Sequence, residues 1–386
     1  MTNEHSSKYF FLVLLVLISS CSSTNGIRFW KNNSIEPDEP MPLQNFSEEK
    51  FISTNWSIQF DGDNDLGNFG PAFSSSNLFF ADSEGNISSI DPLNGEIKWS
   101  LKSNFLSAGV ASGFGVLAVS DTSGNVIAYD QEDGSKIWSV NVKGEVLSKA
   151  AIDAKTVIVK TDAGELISLD KNNGEIIWSY RSNLPLLTVR GSSSPVIQDD
   201  KIFASFDNGR LGVFEIDSGF PLWDGAISYV SGTSELENLI DADSSPIIEG
   251  GLIYATNYQG NLNIFDLAQK RSVWTSESSS FYSPLITRGM IIVIESDSNL
   301  ISFSSKNLQK SWDSDSYRNR NLSNGTVYKG QIVFGDEEGY IHVINPLNGK
   351  TIGRKKISRK PIKSVHSRSS SLYVVDESFK IFSLNI

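Results

Sequence analysis

The stretch EGNISSIDPLNGEIKW, residues 84–99, decides the fold because the rest of the chain repeats its pattern. Apolar residues alternate along a first strand, a polar turn with glycine follows, and a second strand carries a tryptophan. Six further stretches align with it: SGNVIAYDQEDGSKIW (123–138), AGELISLDKNNGEIIW (163–178), NGRLGVFEIDSGFPLW (208–223), QGNLNIFDLAQKRSVW (259–274), SNLISFSSKNLQKSW (298–312) and EGYIHVINPLNGKTIG (338–353). The tail SFKIFSLNI (378–386) is an eighth copy that ends before its second turn. Recurrence at roughly 40 residues is typical of a repeat architecture.

Two more short strands precede each copy. NLFFAD (77–82) and GVLAVSD (115–121) are examples of the nearer strand. The segment before it often holds Gly-Pro or Ser-Pro, as at 70–71 and 194–195. Each repeat therefore has four antiparallel strands, which is the size and content of one β-propeller blade. The sequence predicts an all-β fold.

The eighth copy lacks its last strand, and the N-terminal part of the chain supplies a match. In STNWSIQF (53–60), the pair Trp56-Ser57 corresponds to Trp99-Ser100 of the first copy. We therefore predict an eight-bladed propeller that closes when this N-terminal strand pairs with the C-terminal blade, which removes an exposed sheet edge. A seven-bladed ring is the alternative, and it would discount the copy in which Gly353 replaces the tryptophan.

The repeated tryptophans and aspartates have a structural interpretation. A large flat side chain at the same place in each blade is expected to pack blade against blade rather than to bind a ligand. The aspartates that end the first strand of a copy are expected to cap the following turn rather than to bind metal. They are Asp91, Asp130, Asp170 and Asp266.

The N-terminus is typical of a bacterial lipoprotein. Residues 1–20 combine Lys8 with a short apolar run and small residues, so they are predicted to be a signal peptide. Ile18-Ser19-Ser20-Cys21 resembles a lipobox, which predicts Cys21 as the lipidated first residue. Ser22 follows it in place of an inner-membrane-retaining aspartate, which favours the periplasmic face of the outer membrane. Residues 21–48 then form a flexible tether, and 49–386 form the propeller.

Charge and residue content exclude several classes of function. The net charge is −12 and the sequence has no basic stripe, which argues against nucleic-acid binding. The single cysteine excludes an internal disulfide, and the three histidines lie far apart along the chain. We therefore predict no metal site, no cofactor and no catalytic residue.

Spacing between the marker positions suggests where a partner binds. The markers stand at 56, 99, 138, 178, 223, 274, 312 and 353, so the two longest intervals are consecutive and end at 223 and 274. Both insertions fall between the last strand of one blade and the first strand of the next. Since strands alternate in direction, these two loops are expected to be neighbours on one face of the ring.

The composition of the two loops favours a protein interface. The predicted partner-binding residues are Leu186, Leu187, Val189 and Arg190 in the first loop and Asp241 and Asp243 in the second. Apolar side chains beside a guanidinium are enriched in interface hot spots. Alternatively, Arg190 pairs with Asp241 or Asp243 and ties the loops together, which would rigidify the surface and does not exclude an interface.

These features together resemble the BamB family of outer-membrane lipoproteins, over residues 1–386. Residues 187–191 match its Leu-x-Leu-Arg-Gly segment with valine for the second leucine, and residues 241–246 match its Asp-x-Asp before a small-small-Pro strand start. A GDSEGYLH-like stretch of the family is matched near the C-terminus by GDEEGYIH, residues 335–342. The resemblance implies a propeller of the quinoprotein-alcohol-dehydrogenase type that acts as a scaffold in the β-barrel assembly machinery. It also implies that the two loops bind a POTRA domain of the barrel subunit BamA and aid insertion of outer-membrane proteins.

Two other functions compete with this interpretation. Quinone-dependent dehydrogenases use the same blade type, but they carry an adjacent cysteine pair, and Cys21 lies outside the predicted propeller. A generic surface propeller would bind sugar or peptide in its channel and would need no special loops. Unfolded outer-membrane proteins are a further candidate partner, since they could pair with exposed strand edges.

Overall fold

Alternating apolar residues and glycine-rich turns give each repeat four strands in the computed structural model of the chain. The structure describes residues 39–62, 67, 69–183, 193–227 and 244–386. All 32 regular elements in this part are strands. Nothing in the described residues is a helix of the length and apolarity needed to cross a bilayer.

The first four blades follow one another along the chain. Blade 1 comprises β2 (Ala72–Phe73), β3 (Leu78–Ala81), β4 (Asn86–Ile90) and β5 (Ile97–Lys102). Blade 2 comprises β6 (Leu106–Gly113), β7 (Val116–Asp121), β8 (Asn125–Asp130) and β9 (Lys136–Asn141). Blade 3 comprises β10 (Ala151–Ile152), β11 (Thr156–Lys160), β12 (Glu165–Asp170) and β13 (Ile176–Arg181). Blade 4 comprises β14 (Val196–Gln198), β15 (Lys201–Phe206), β16 (Arg210–Glu215) and β17 (Pro221–Ala226).

The other four blades complete the ring. Blade 5 comprises β18 (Ile247–Glu249), β19 (Leu252–Ala255), β20 (Leu262–Asp266) and β21 (Arg271–Ser276). Blade 6 comprises β22 (Leu285–Thr287), β23 (Met290–Ile294), β24 (Leu300–Ser304) and β25 (Lys310–Ser314). Blade 7 comprises β26 (Thr326–Tyr328), β27 (Gln331–Gly335), β28 (Tyr340–Ile344) and β29 (Thr351–Lys356). Blade 8 comprises β30 (Ile362–Arg368), β31 (Ser371–Asp376), β32 (Lys380–Asn385) and the N-terminal β1 (Ser53–Gln59).

The sheet pairings confirm the predicted closure. The described part of the chain forms eight four-stranded antiparallel sheets, and β1 joins the outer edge of the C-terminal blade. Trp56 lies opposite Ser383 in this pairing, and Gln59 lies opposite Lys380. The seven-bladed alternative is wrong, because the copy that ends at Gly353 forms a complete sheet, blade 7.

Burial follows from the position of each strand in its blade. The second and third strands are almost wholly buried, as β11 and β4 show, because neighbouring blades cover both of their faces. The outermost strands alternate between exposed and partly buried residues, as in β13. The period of two is that of a strand with one covered face.

The hydrophobic core lies between blades rather than within them. One cluster joins blades 8, 1 and 2, and it includes Phe379, Phe80 and Leu117. Six further clusters each join one adjacent pair of blades, from 2 and 3 round to 7 and 8. Each blade therefore needs both neighbours to bury its side chains, which holds the ring closed.

The repeated tryptophans join consecutive blades, as predicted. Each of five indole Nε1 groups donates to a carbonyl in the outer turn of the next blade. The pairs are Trp56 with Pro92 (3.1 Å), Trp99 with Gln131 (3.3 Å), Trp138 with Lys171 (2.7 Å), Trp178 with Ile216 (2.9 Å) and Trp312 with Pro346 (2.8 Å). The glycine of that turn lies under the indole, and a Cβ on Gly174 would be 2.7 Å from the Trp138 ring.

The repeated aspartates cap these outer turns, also as predicted. The Asp91 carboxylate accepts a hydrogen bond from the Leu93 backbone at 2.8 Å, and Asp130 accepts one from Glu132 at 2.7 Å. Asp170 accepts the same bond from the Asn172 backbone in blade 3, and in blade 5 Asp266 accepts from the backbone of Gln269, three residues on. This is the Asx-turn geometry, which satisfies turn N–H groups that no strand can reach.

Residues 40–52, here called the N-terminal strap, lie along the outer strand of blade 7. The compact unit that contains the propeller begins at Pro40. The backbone N–H groups of Glu49 and Lys50 donate to Ile352 O at 2.8 and 2.9 Å, on the outer strand of blade 7. Within the segment that the sequence assigns to the tether, Met41 and Gln44 also have hydrogen-bond partners on the propeller, and the boundary between tether and propeller stays a prediction. The signal peptide and the rest of the tether lie outside the described residues.

Candidate functional site

Connections between blades all emerge on one face of the ring, because every blade has four alternating strands. We call this the connection face. The two long connections run from β13 to β14 and from β17 to β18, so they leave neighbouring blades, as predicted. The predicted partner-binding residues and the predicted lipidation site lie outside the described residues. They are Leu186, Leu187, Val189, Arg190, Asp241, Asp243 and Cys21.

The described ends of the two long connections are in direct contact. The first rejoins the propeller at Ser193 and Ser194, and the second rejoins it at Ser244 and Ser245. The backbone N–H of Ser194 donates to Ser245 Oγ at 3.0 Å. The chain therefore leaves both connections at adjacent points on neighbouring innermost strands.

A buried lysine lies beneath the end of the first long connection. Lys160 is 4% exposed, and its ammonium group donates to Ser193 Oγ at 2.5 Å and to Ser205 O at 3.0 Å. It comes from the end of β11 in blade 3, whereas Ser193 and Ser205 belong to the blade 4 side. Because a buried ammonium needs several acceptors, this lysine ties the two blades together at this point.

Serine and threonine hydroxyls extend the network to blade 6. Thr256 Oγ1 lies 2.8 Å from Ser244 Oγ and 2.8 Å from Tyr282 O. Ser283 Oγ donates to Ser245 O at 2.6 Å. These bonds fix the end of the second long connection to the blades on either side of it.

Sequence reasoning missed this network, although two signals were visible. Lys160 is the one charged residue in the apolar run TVIVK, and a lysine there must find acceptors when the strand is buried. The tripeptide Ser-Ser-Pro recurs at 193–195 and 244–246. Proline has no N–H, so it suits an innermost edge strand, and the serines before it supply short hydrogen-bonding side chains.

The innermost strands also surround a central channel. A cavity of about 530 Å³ is lined by residues of blades 5, 6, 7 and 8, including Ser245, Leu285 and His366. Beside it, Lys149 Nζ donates to the backbone carbonyls of Gly70 and Pro71 at 2.6 and 3.0 Å. Loss of hydration lowers the pKa of Lys149 to about 7. Burial, together with the positive charge of Lys149, lowers the pKa of His366 to about 3.

Blade 7 carries a buried charge network on the connection face. Arg320 donates to Asp336 Oδ2 through Nε at 3.1 Å and Nη2 at 2.8 Å, and Nη2 also donates to Glu338. His342 Nε2 lies 2.9 Å from the same Asp336 oxygen, and Arg354 Nε donates to His342 Nδ1 at 3.2 Å. Since Nδ1 accepts, the imidazole carries its proton on Nε2 and donates it to Asp336.

Burial and neighbouring charges act in opposite directions on the pKa values of Asp336 and His342. Burial alone would raise the pKa of Asp336, but hydrogen bonds and charge from His342 and Arg320 outweigh it and lower the pKa. Burial lowers the pKa of His342 despite the neighbouring carboxylate. The network therefore holds an ionised Asp336 and a neutral His342 at neutral pH.

The same network holds the N-terminal strap. Arg320 Nη1 donates to Met41 O at 2.9 Å, and Arg354 Nη1 donates to Gln44 O at 3.0 Å. The Arg354 guanidinium also lies 4.9 Å from the centroid of the Phe46 ring. Two arginines thus each bind the propeller with one part of the guanidinium and the strap with another, which the planar five-donor group allows.

Metal-ligating side chains do not cluster in the described residues: His, Asp and Glu form no group of three or more there that could hold an ion.

Comparison with known proteins identifies a family. The family model described as outer membrane protein assembly factor BamB matches residues 83–314 and 278–385. Proteins of that name from Pseudomonas aeruginosa and Yersinia pestis are 31% and 29% identical, and each match covers 90% of this chain and 90% of the relative. The protein of that name from Escherichia coli is 26% identical over the same shares.

Solved structures agree on the fold. The crystal structure of BamB from Moraxella catarrhalis superposes with a TM-score of 0.81 at 24% identity, covering 87% of this chain and 100% of that one. Quinohemoprotein alcohol dehydrogenase from Comamonas testosteroni superposes at 0.66 with 10% identity, covering 86% of this chain and 76% of that one. The propeller therefore occurs in assembly factors and in enzymes, so the fold by itself does not decide between them. The family match spans most of the propeller, and we conclude that the chain belongs to the BamB family of outer membrane protein assembly factors.

Proposed function

We propose that this chain is a non-enzymatic scaffold subunit of the machinery that assembles β-barrel proteins in the outer membrane. Membership of the BamB family supports a role in the assembly of outer-membrane proteins. The contact between Ser194 and Ser245 carries the more specific proposal, because it brings the ends of the two long connections together on one face.

We further propose that residues 184–191 and 235–243 bind a periplasmic POTRA domain of the barrel subunit BamA. Leucine and valine beside Arg190 provide an apolar anchor next to a planar cation, and both are enriched at the centres of interfaces. Asp241 and Asp243 would pair with Arg190 or with basic groups of the partner. The Lys160 network supports this role, because a recognition loop on a rigid base loses less entropy on binding.

The test is capture of purified BamA POTRA domains by the Arg190→Ala variant. A central anchor contributes about 2 kcal/mol or more, so we expect the affinity to fall at least ~30-fold. Arg271→Ala is the matched control, since Arg271 is an exposed arginine on the outer strand of blade 5. The control should bind like the unmodified protein.

Equal capture by both variants would reject this docking surface and would favour a generic ligand-binding propeller. Equal loss in both would show that surface charge in general, rather than the loop, determines binding. Circular dichroism of each variant should show the unmodified β-sheet spectrum.

We propose that the chain is anchored to the periplasmic face of the outer membrane by lipid on Cys21. Several acyl chains anchor firmly without a membrane span, because each buried methylene contributes about 0.8 kcal/mol. Removal of residues 1–20 as the signal peptide would leave residues 21–48 as the predicted lipidated tether. Mass spectrometry should find the lipid on the N-terminal cysteine, and Cys21→Ala should release the protein from membranes.

The proposal that the chain catalyses no reaction has its own test. A quinone-dependent dehydrogenase purifies with a coloured cofactor and reduces an electron acceptor with alcohol. We expect no quinone absorbance in protein purified from its native host. A bound quinone would reject the scaffold proposal in favour of the enzyme alternative.

Unfolded outer-membrane proteins are proposed as additional partners. The outermost strands of blades 1 to 3 have free edges and exposed isoleucines, among them Ile97, Ile137 and Ile177 at 50%, 41% and 47% exposure. An extended client segment could add to such an edge by β-augmentation. Site-specific photocrosslinkers at these positions should capture nascent barrel proteins, and crosslinks found only on BamA would reject this part.

A further inference from the structure

A half-buried lysine, Lys149, lies beside the cavity that His366 lines, and its ammonium group has no carboxylate partner among the described residues. Lys149 donates two of its three N–H groups to the Gly70 and Pro71 carbonyls. Within the described part of the chain, no carboxylate lies within ion-pairing distance of its ammonium group. A cation that is largely removed from water gains strongly from an anion, so this position favours one.

His366 lies directly beside this lysine. A Cβ on Gly70 would be 2.8 Å from His366 Nε2 and 3.2 Å from Lys149 Nζ, so both nitrogens approach the same backbone position. His366 Nε2 lies 2.9 Å from Ser364 Oγ. Only glycine at position 70 lets the lysine and the histidine come this close to the backbone between them.

The adjoining cavity has room for a ligand, and its described lining includes one lysine and a neutral histidine. Its volume is about 530 Å³, within the range of pockets that hold small molecules. The described side chains that line it include Lys363 and His366 but no aspartate or glutamate.

We propose that the central channel binds a small molecule carrying an oxyanion group, held by Lys149 and His366. The ammonium N–H that is not donated to Gly70 or Pro71 would donate to one oxygen, and an imidazole N–H would donate to another. Charge-assisted bonds of this kind are about twice as strong as bonds between neutral groups. This site is separate from the BamA-binding proposal and does not depend on it.

Other charged groups face the channel from the neighbouring elements. Lys363 comes from the same blade as His366, and a second cavity of about 740 Å³ shares it. That cavity is also lined by Lys360, Glu337 and Glu377, so its charges balance. Since an anion binds best when Lys149 is protonated, affinity should rise as the pH falls from 8 to 6.

Sulfate is the probe, because its charge is constant over this pH range. Histidine side-chain NMR is the readout, since the sequence has only three histidines. We expect sulfate to shift the His366 resonances saturably, with at least fivefold tighter binding at pH 6 than at pH 8. His342 is fully buried in blade 7 and should not move, so it serves as an internal reference. Chloride at matched ionic strength should shift neither residue.

Lys149→Met should weaken sulfate binding at least tenfold, and Lys171→Met should leave it unchanged. Lys171 is a half-buried lysine whose ammonium group also donates to a backbone carbonyl, that of Phe114, which makes it a matched control. If Lys149→Met does not fold, His366→Gln in the full chain provides the second variant, followed by thermal shift with sulfate. Non-saturable shifts, equal shifts of both histidines, or unchanged binding by the Lys149 variant would overturn the proposal.

Discussion

The tryptophan position on the outermost strand of a blade is filled differently at two junctions between blades. At the junction of blades 2 and 3, Trp138 is 7% exposed and its indole N–H binds the outer turn of blade 3. At the junction of blades 7 and 8, Gly353 stands in place of the tryptophan, and the N-terminal strap fills the position. A Cβ on Gly353 would be only 2.6 Å from Lys50 O.

Ring closure explains the difference. The two outer strands of blade 8 are the two ends of the propeller chain, so no turn joins them. A tryptophan at 353 would therefore have no turn carbonyl to bind and no turn glycine to cover. The strap must also cross here to reach β1, and Ile52 becomes buried between blades 7 and 8 as it does so. A repeat that lacks its usual tryptophan therefore marks the position where another segment of the chain, the strap, packs in its place.

Removing a regular junction residue should have the largest effect. Trp138→Ala deletes a buried indole between two blades, so we expect the free energy of unfolding to fall by about 3–5 kcal/mol. Urea denaturation followed by fluorescence of the other tryptophans measures it. A loss below about 1 kcal/mol would mean that the tryptophan does not determine how the blades join.

Converting the exceptional junction to the regular residue should also destabilise the protein. Gly353→Trp forces an indole into the position of the strap backbone, and overpacking of this kind costs about 1–3 kcal/mol. Limited proteolysis should then cleave within residues 40–52. Ser311→Trp, at an exposed position of the outer strand of blade 6, is the control and should change neither result.

Acid should weaken blade 7 but not the tryptophan contact, which has no titratable group. Because the pKa of His342 lies below its unfolded value of 6.5, the unfolded chain takes up the proton first, and stability falls as pH drops below 6.5. One such group contributes at most about 1.4 kcal/mol per pH unit. His342→Gln should therefore flatten the pH dependence of the unfolding free energy between pH 6.5 and 5. An unchanged slope would contradict a neutral buried His342.

The smallest effect is expected at an outer turn without glycine. Lys270 has φ 52° at the turn position where the other blades often have glycine, and it is exposed. A left-handed non-glycine residue costs about 1–2 kcal/mol, partly offset by the extra unfolded entropy of glycine, so Lys270→Gly should stabilise the protein by about 0.5 kcal/mol. The reverse change Gly134→Lys, at φ 72° under Trp99, should destabilise it.

Much of the fold was predictable because each repeat carries its own local rules. The alternation along β4, the turn that Asp91 caps and the tryptophan that follows are set within about 16 residues. The match between Trp56 and Trp99 was enough to predict closure by the N-terminal strand. The eight repeats then had to share cores, since no single blade buries its own side chains.

The site was predictable only in outline. The two longest intervals correctly placed the long connections after blades 3 and 4, and their residues remain a prediction. The Lys160 network was not predicted, because its acceptors Ser193 and Ser205 lie 33 and 45 residues away in a different blade. The contacts of the strap were not predicted, because its polar residues lack any periodicity.

The sequence by itself determined the number of blades, the way the ring closes and the tryptophan junctions, because these depend on alternation and turn chemistry within a repeat. Only the tertiary structure decided which blade binds the strap and which polar groups are buried in the channel. Those contacts join distant residues, such as Arg354 and Gln44, which are 310 positions apart. No local pattern encodes such a pairing, since it exists only once the ring has brought the two ends of the chain together.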